Sequence, residues 1–209
     1  MELEYKYTLG LSGRPKLYHM RILVLLFIAV QAQAQLAGLR GGVSVSNLTQ
    51  TDFSAHTGFY AGAVGNFKSG GIYTLQPEMG FIRMGAKGDI SYEKPHVGVI
   101  NEKGIVADYV YLNIMNKFSF HPAFGILVGP GWEQEVSNHP ALRKQWDLAV
   151  NLGIEVKMSP NVGFEARVRR GTRDLYNGTR TLPHYSGLFL WGENSFLAFQ
   201  AGMFYYFAK

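Results

Sequence analysis

Cysteine is absent, so neither a disulfide framework nor a thiolate metal site can form. Charge is scarce: Asp, Glu, Lys and Arg make up 17% of the chain and hydrophobic residues 47%, where soluble domains carry ~25% charged residues. Yet no apolar run approaches the ~20 residues of a membrane-spanning helix. A long basic block is also missing. The formal net charge of +5 drops to +3 over residues 35–209, and the basic runs are as short as Arg167 to Arg170. Nucleic acid is therefore not an expected partner. Gly129-Pro130-Gly131 has no Lys-Ser/Thr behind it and no helix to open, so it is not a phosphate loop. It reads instead as strand flexibility near a barrel rim. What abounds is glycine, with 25 residues, and aromatic side chains, at 14%. Both suit strands and tight turns, and 209 residues suffice for one domain.

The N-terminus reads as an export signal. Met20-Arg21 precedes the apolar run Ile22 to Val30, and Gln31-Ala32-Gln33-Ala34-Gln35 supplies an A-x-A cleavage signature. Cleavage is expected after Ala34, with residues 1–34 forming a signal peptide with an N-terminal extension and residues 35–209 the barrel domain. Met1 and Met20 remain alternative starts, and an uncleaved buried helix is the competing reading.

Beyond Gln35 the hydrophobic period is 2. Leu148, Val150, Leu152, Ile154, Val156 and Met158 share one face, opposite Asp147, Ala149, Asn151, Gly153, Glu155 and Lys157. Ser159-Pro160-Asn161 then turns the chain, and Val162, Phe164, Ala166 and Val168 alternate with Gly163, Glu165, Arg167 and Arg169. Weaker patterns cover 37–45, 59–67, 73–83, 109–117, 123–132 and 196–207. The expected connections alternate: long at 46–58, 85–107, 133–146 and 171–195, short at 68–72, 118–122 and 159–161. Outer-membrane barrels have short periplasmic turns and long extracellular loops. The expectation is an all-β, eight-stranded antiparallel up-and-down transmembrane β-barrel, preceded by the signal peptide, in the cell outer membrane with both termini periplasmic.

Alternation alone does not say which face meets solvent; a soluble periplasmic lipocalin-like barrel would turn the apolar row inward. Small residues on the polar face (Gly38, Gly42, Ser44, Ala149, Gly153, Gly163) suit a narrow, side-chain-filled lumen. So do its charges of both signs, which can pair when buried. Arg40, Glu78, Glu155, Lys157, Glu165, Arg167 and Arg169 are the expected lumen cluster. The last strand places Gln200 and Gly202 before Tyr205 and Phe207, an arrangement that resembles the C-terminal β-signal read by the barrel assembly machinery, although Ala208-Lys209 trails the aromatic.

Gly38-Leu39-Arg40-Gly41-Gly42, Leu75-Gln76-Pro77-Glu78-Met79-Gly80-Phe81, Tyr111-Leu112-Asn113-Ile114-Met115 and Gly202-Met203-Phe204-Tyr205-Tyr206-Phe207 together resemble the PorT-like outer-membrane β-barrel family of Gram-negative envelope proteins. Asn113 to Met115 replaces the Ile-Pro-Leu type of run found there. The resemblance implies a barrel, and for some relatives a link to protein secretion across the envelope.

Chemistry is sparse. His19, His56, His96, His121, His139 and His184 show no metal-ligand spacing, and all but His19 fall in expected loops or turns. His184-Tyr185-Ser186, with Glu193 as a carboxylate to orient the imidazole, is similar to the His-x-Ser of PagL-type lipid A deacylases. Gly187 stands where that family commonly has Asn, and an ordinary polar loop is the alternative. Arg170, Arg173, Tyr176, Arg180 and Trp191 could contact lipopolysaccharide phosphates at an outer rim, with generic loop solubility the favoured alternative. The expected protein is a monomeric, non-enzymatic structural or binding barrel without cofactor or metal. Its expected partners are outer-membrane lipids, lipopolysaccharide, the assembly machinery and envelope proteins.

Overall fold

The structure is a computed structural model that describes residues 36–49, 51–94, 98–137, 139–142, 146–173, 175 and 194–207. The expected signal peptide at 1–34 lies outside the described residues. Among the described residues ten strands follow one another: β1 (Leu36–Leu48), β2 (Ser54–Gly70), β3 (Tyr73–Lys87), β4 (Ile90–Lys94), β5 (Gly98–Glu102), β6 (Ile105–His121), β7 (Phe124–Glu135), β8 (Trp146–Lys157), β9 (Val162–Gly171) and β10 (Phe196–Tyr206). Eight of them close an antiparallel barrel in the order β1-β10-β9-β8-β7-β6-β3-β2. The seam between β1 and β10 pairs continuously from Gly38↔Tyr206 to Leu48↔Phe196.

The alternation of β8 decides the facing. Leu148 is 47% exposed while its neighbour Asp147 is 2% exposed, and the pattern holds through Val156 and Glu155. Leu39, Val43, Ile114, Phe164 and Met203 join the outward row. This facing rules out the soluble lipocalin-like arrangement. From Leu148 to Met158 the row covers about 34 Å of strand, or about 26 Å along the axis at a tilt of ~40°. That matches the ~25 Å apolar band of an outer-membrane barrel.

Several sequence expectations need correction. The connection expected at 46–58 shrinks to 49–53, because β1 runs on to Leu48 and β2 begins at Ser54. His56 thus belongs to a strand, as does His121 at the end of β6. The connection expected at 85–107 holds the ends of β3 and β6 and a separate two-stranded hairpin, β4–β5, paired from Ile90↔Glu102 to Lys94↔Gly98. Gly129-Pro130-Gly131 lies mid-strand in β7, not at a rim. Its two glycines face inward, Gly129 against the backbone of Ile114 and Met115 and Gly131 beside the side chains of Asn113 and Asn151, and the exposed Pro130 faces outward.

The missed strand ends share one physical cause. Toward the long connections the polarity of the two faces inverts. On β3 the inward residues change from Gln76 and Glu78 to Ile82, Met84 and Ala86, while outward Phe81 is followed by Arg83. On β6, outward Asp108 pairs with Arg83 through two hydrogen bonds of 2.7 and 2.8 Å. Here the wall has left hydrocarbon for water, and the inner face becomes an ordinary apolar core. Leu48, Phe53, Ile90, Ile105, Ala141, Leu175 and Phe196 meet in it, so the described parts of the long connections pack over the barrel mouth.

Candidate functional site

Below that apolar cap the lumen is filled by an ion network. Eight strands leave an interior just wide enough for side chains, and small inward residues make room for large ones. A Cβ at Gly80 would lie 2.5 Å from the Tyr111 hydroxyl, and one at Gly153 would lie 2.6 Å from Cγ of Arg167. These positions let a phenol ring and a guanidinium stem lie flat against the wall.

At the centre, Arg167 on β9 donates two 2.8 Å hydrogen bonds, one to each oxygen of Glu78 on β3. β9 and β3 lie four strands apart in either direction around the barrel, so this fork spans the full lumen. Arg40 on β1 also donates to Glu78 at 2.8 Å, and its Nε donates to Glu165 Oε1 at 2.8 Å. Nη2 of Arg167 lies 2.9 Å from Glu165 Oε2. The carboxylates receive further donors: Gln76 at 2.8 Å and Asn113 at 3.1 Å on Glu78, and the Tyr60 hydroxyl at 2.7 Å on Glu165. Two guanidinium groups and two carboxylates thus balance, with few lone pairs unserved, as buried charge requires.

The register adds a constraint that the sequence hides. Glu155 and Glu165 are direct cross-strand partners, an arrangement that repels. Cations from elsewhere relieve it. Arg167 lies 3.6 Å from Glu155, and Lys117 on β6 forms a close ion pair with it. Arg169 lies nearer the long connections, ion-paired with Glu133 on β7 and placed 5.4 Å over the Tyr111 ring.

Of the expected cluster, Arg40, Glu78, Glu155, Glu165 and Arg167 are linked in this network, and Arg169 forms its own pair above. Lys157 is half-buried at the short-turn end and makes no ion pair among the described residues. Lys117, Glu133 and Tyr60 were not singled out in the sequence, and Tyr111 entered only as part of the Tyr111–Met115 motif. Their inward positions on β2, β6 and β7 were the available signal.

On β10, Gln200 faces the lumen and accepts from Arg40 at 3.3 Å, while Tyr205 and Phe207 point outward with ring centroids 5.6 Å apart. His184, Ser186 and Glu193 lie outside the described residues, as do Tyr176, Arg180 and Trp191. The guanidinium of Arg173 stacks 3.7 Å from the Trp146 ring at the long-connection rim. His139 lies 3.4 Å from Glu102 and ties the β7–β8 connection to the hairpin. No group of His, Asp or Glu among the described residues has the geometry to hold a metal.

The family model for the outer membrane protein beta-barrel domain matches residues 21–207. The chain belongs to that family. As an outer-membrane barrel it shares its fold with neisserial surface protein A (NspA), at 11% identity and TM-score 0.51, over 82% of this chain and 97% of that one. OprG of Pseudomonas aeruginosa aligns at 14% identity and TM-score 0.47, over 84% of this chain and 97% of that one. Ail of Yersinia pestis aligns at 15% identity and TM-score 0.44, over 82% and 98%. No curated protein sequence matches this barrel. Family and fold together place the chain in the outer membrane as a small envelope barrel.

Proposed function

We propose that this outer-membrane barrel is a non-conducting, non-enzymatic protein that acts as a structural or binding element of the envelope through its long connections. The observation that carries the reading is the Arg40–Glu78–Arg167–Glu165 network, which crosses the lumen from wall to wall. An ion would have to break several charge-assisted bonds to pass. With transport through the lumen disfavoured, the surface left for function is the apolar-cored cap and the connections that build it. The Arg173–Trp146 stack and the neighbouring Arg170 give that rim a cationic, aromatic character suited to lipopolysaccharide phosphates.

The finer reading includes removal of residues 1–34 on export, periplasmic termini and a monomeric state. Gln200, Gly202, Tyr205 and Phe207 serve as the signal for the assembly machinery. The Gly38–Gly42 and Leu75–Phe81 motifs support a place among PorT-like barrels, with a link to envelope secretion. Planar-bilayer recording tests the central claim. The purified protein is expected to give no stepwise conductance, and stable single-channel steps would overturn the proposal.

A further inference from the structure

We infer that the outer wall across β8, β9, β10 and β1 carries a groove that docks an acyl chain of lipopolysaccharide, an assignment that rests on the reading of the long-connection rim as a lipopolysaccharide contact. Register builds the groove. Ala201 on β10 and Ala166 on β9 are direct cross-strand partners, and both point outward. Val43 on β1 flanks Ala201, and Ile154 on β8 flanks Ala166. One step toward the long connections stand Phe199, Val168 and Leu152; one step toward the short turns stand Met203 and Phe164. Two methyl groups are thus ringed by larger side chains. A barrel wall is convex, yet here it is hollowed by about 630 Å³.

The surroundings say what fills the hollow. Phe164, Met203 and Val43 belong to the outward row that faces hydrocarbon, so the occupant comes from the bilayer. An unfilled hollow forfeits dispersion contacts along its whole lining, and a flexible chain can follow it. Two copies meeting across a twofold axis would set hollow against hollow and leave a void. The headgroup end is marked as well. Arg170 lies on the same outward face of β9, four residues and about 14 Å of strand beyond Ala166. Past it comes the Arg173–Trp146 stack. Guanidinium groups recognise phosphate through paired donors. Each carries five N–H donors, so these arginines can meet a phosphate while keeping their contacts within the protein. The wall therefore runs from an apolar floor at mid-height to a cationic, aromatic rim, the same order of polarity as a phosphorylated lipid from chain to headgroup.

Titration of the purified full-length barrel with hexa-acylated lipid A in maltoside detergent, followed by native mass spectrometry, tests the groove. The wild type is expected to bind one lipid A saturably. Ala166→Leu/Ala201→Leu fills the hollow from outside without touching the lumen and is expected to weaken binding about tenfold. Ile114→Phe on β6, directly across the barrel from β10, adds bulk to the opposite wall and is expected to leave binding unchanged. The heat-modifiable band on a denaturing gel reports that each variant barrel is intact. Equal affinity of the wild type and an intact double variant overturns the groove and leaves the lipopolysaccharide reading of the rim standing. Absence of saturable binding by the wild type overturns both. A dimer that the double variant dissolves assigns the hollow to a second copy and overturns the inference.

Discussion

Arg167 shows how much one buried residue can govern. Its guanidinium serves Glu78 with two bonds and neutralises the opposed pair Glu155–Glu165. Truncating it leaves Glu78, Glu155 and Glu165 to share Arg40 and Lys117, an uncompensated buried charge of the kind that costs ~3–5 kcal/mol in comparable pairs. Arg167→Met is expected to lower the unfolding free energy in lipid vesicles by about that amount, measured by urea titration. Lys157→Met, at a half-buried position with no ion pair among the described residues, is expected to change it by less than ~1 kcal/mol. The inward placement of Arg167, Glu165, Glu155, Arg40 and Glu78 was legible because alternation assigns a face to each residue. Their partners were not, since the bonds join strands that are distant in sequence and meet only across the lumen. Glu155 facing Glu165 illustrates the gap: alternation puts both inside, and register alone makes them neighbours.

Among the elements, β8 and β9 were legible almost residue by residue because hydrocarbon lies outside them along their length. The ends of β1, β2, β3 and β6 were not. There the outer face meets water and the inner face meets the cap, so Arg83 points out and Ile82 in. A reader looking for one constant pattern sees a loop. The β4–β5 hairpin was missed for a related reason: it has no membrane-facing side to impose alternation. It pairs only with itself in the sheet and is anchored by Ile90 in the cap and by the Glu102–His139 contact. Replacing residues 91–101 with a short Gly-Ser linker is expected to leave the heat-modifiable barrel intact. Loss of that band would show that the hairpin is required for closure.

For the whole molecule, the arrangement of long and short connections, with both ends of the barrel at the short-turn side, sets an orientation that the absence of native cysteine makes easy to test. Thr51→Cys and Ser159→Cys place single thiols at opposite ends. In intact cells a membrane-impermeant maleimide is expected to label the first and spare the second; the reverse pattern would invert the proposed topology. Within the lumen the buried charges change along the axis. Glu133, Glu135 and Asp147 lie toward the long connections with Arg169 among them, the centre is balanced, and the lysines gather at the short turns.

The fork between Arg167 and Glu78 has a kinetic corollary. Because its two strands are antipodal, the bond cannot exist in a hairpin or in a half-formed sheet; it becomes available only after the first and last strands have zipped together. It therefore behaves as a latch set at the end of assembly. In time-resolved refolding and unfolding, Arg167→Met should leave the insertion rate nearly unchanged and accelerate release, so that most of the lost stability appears in the unfolding limb.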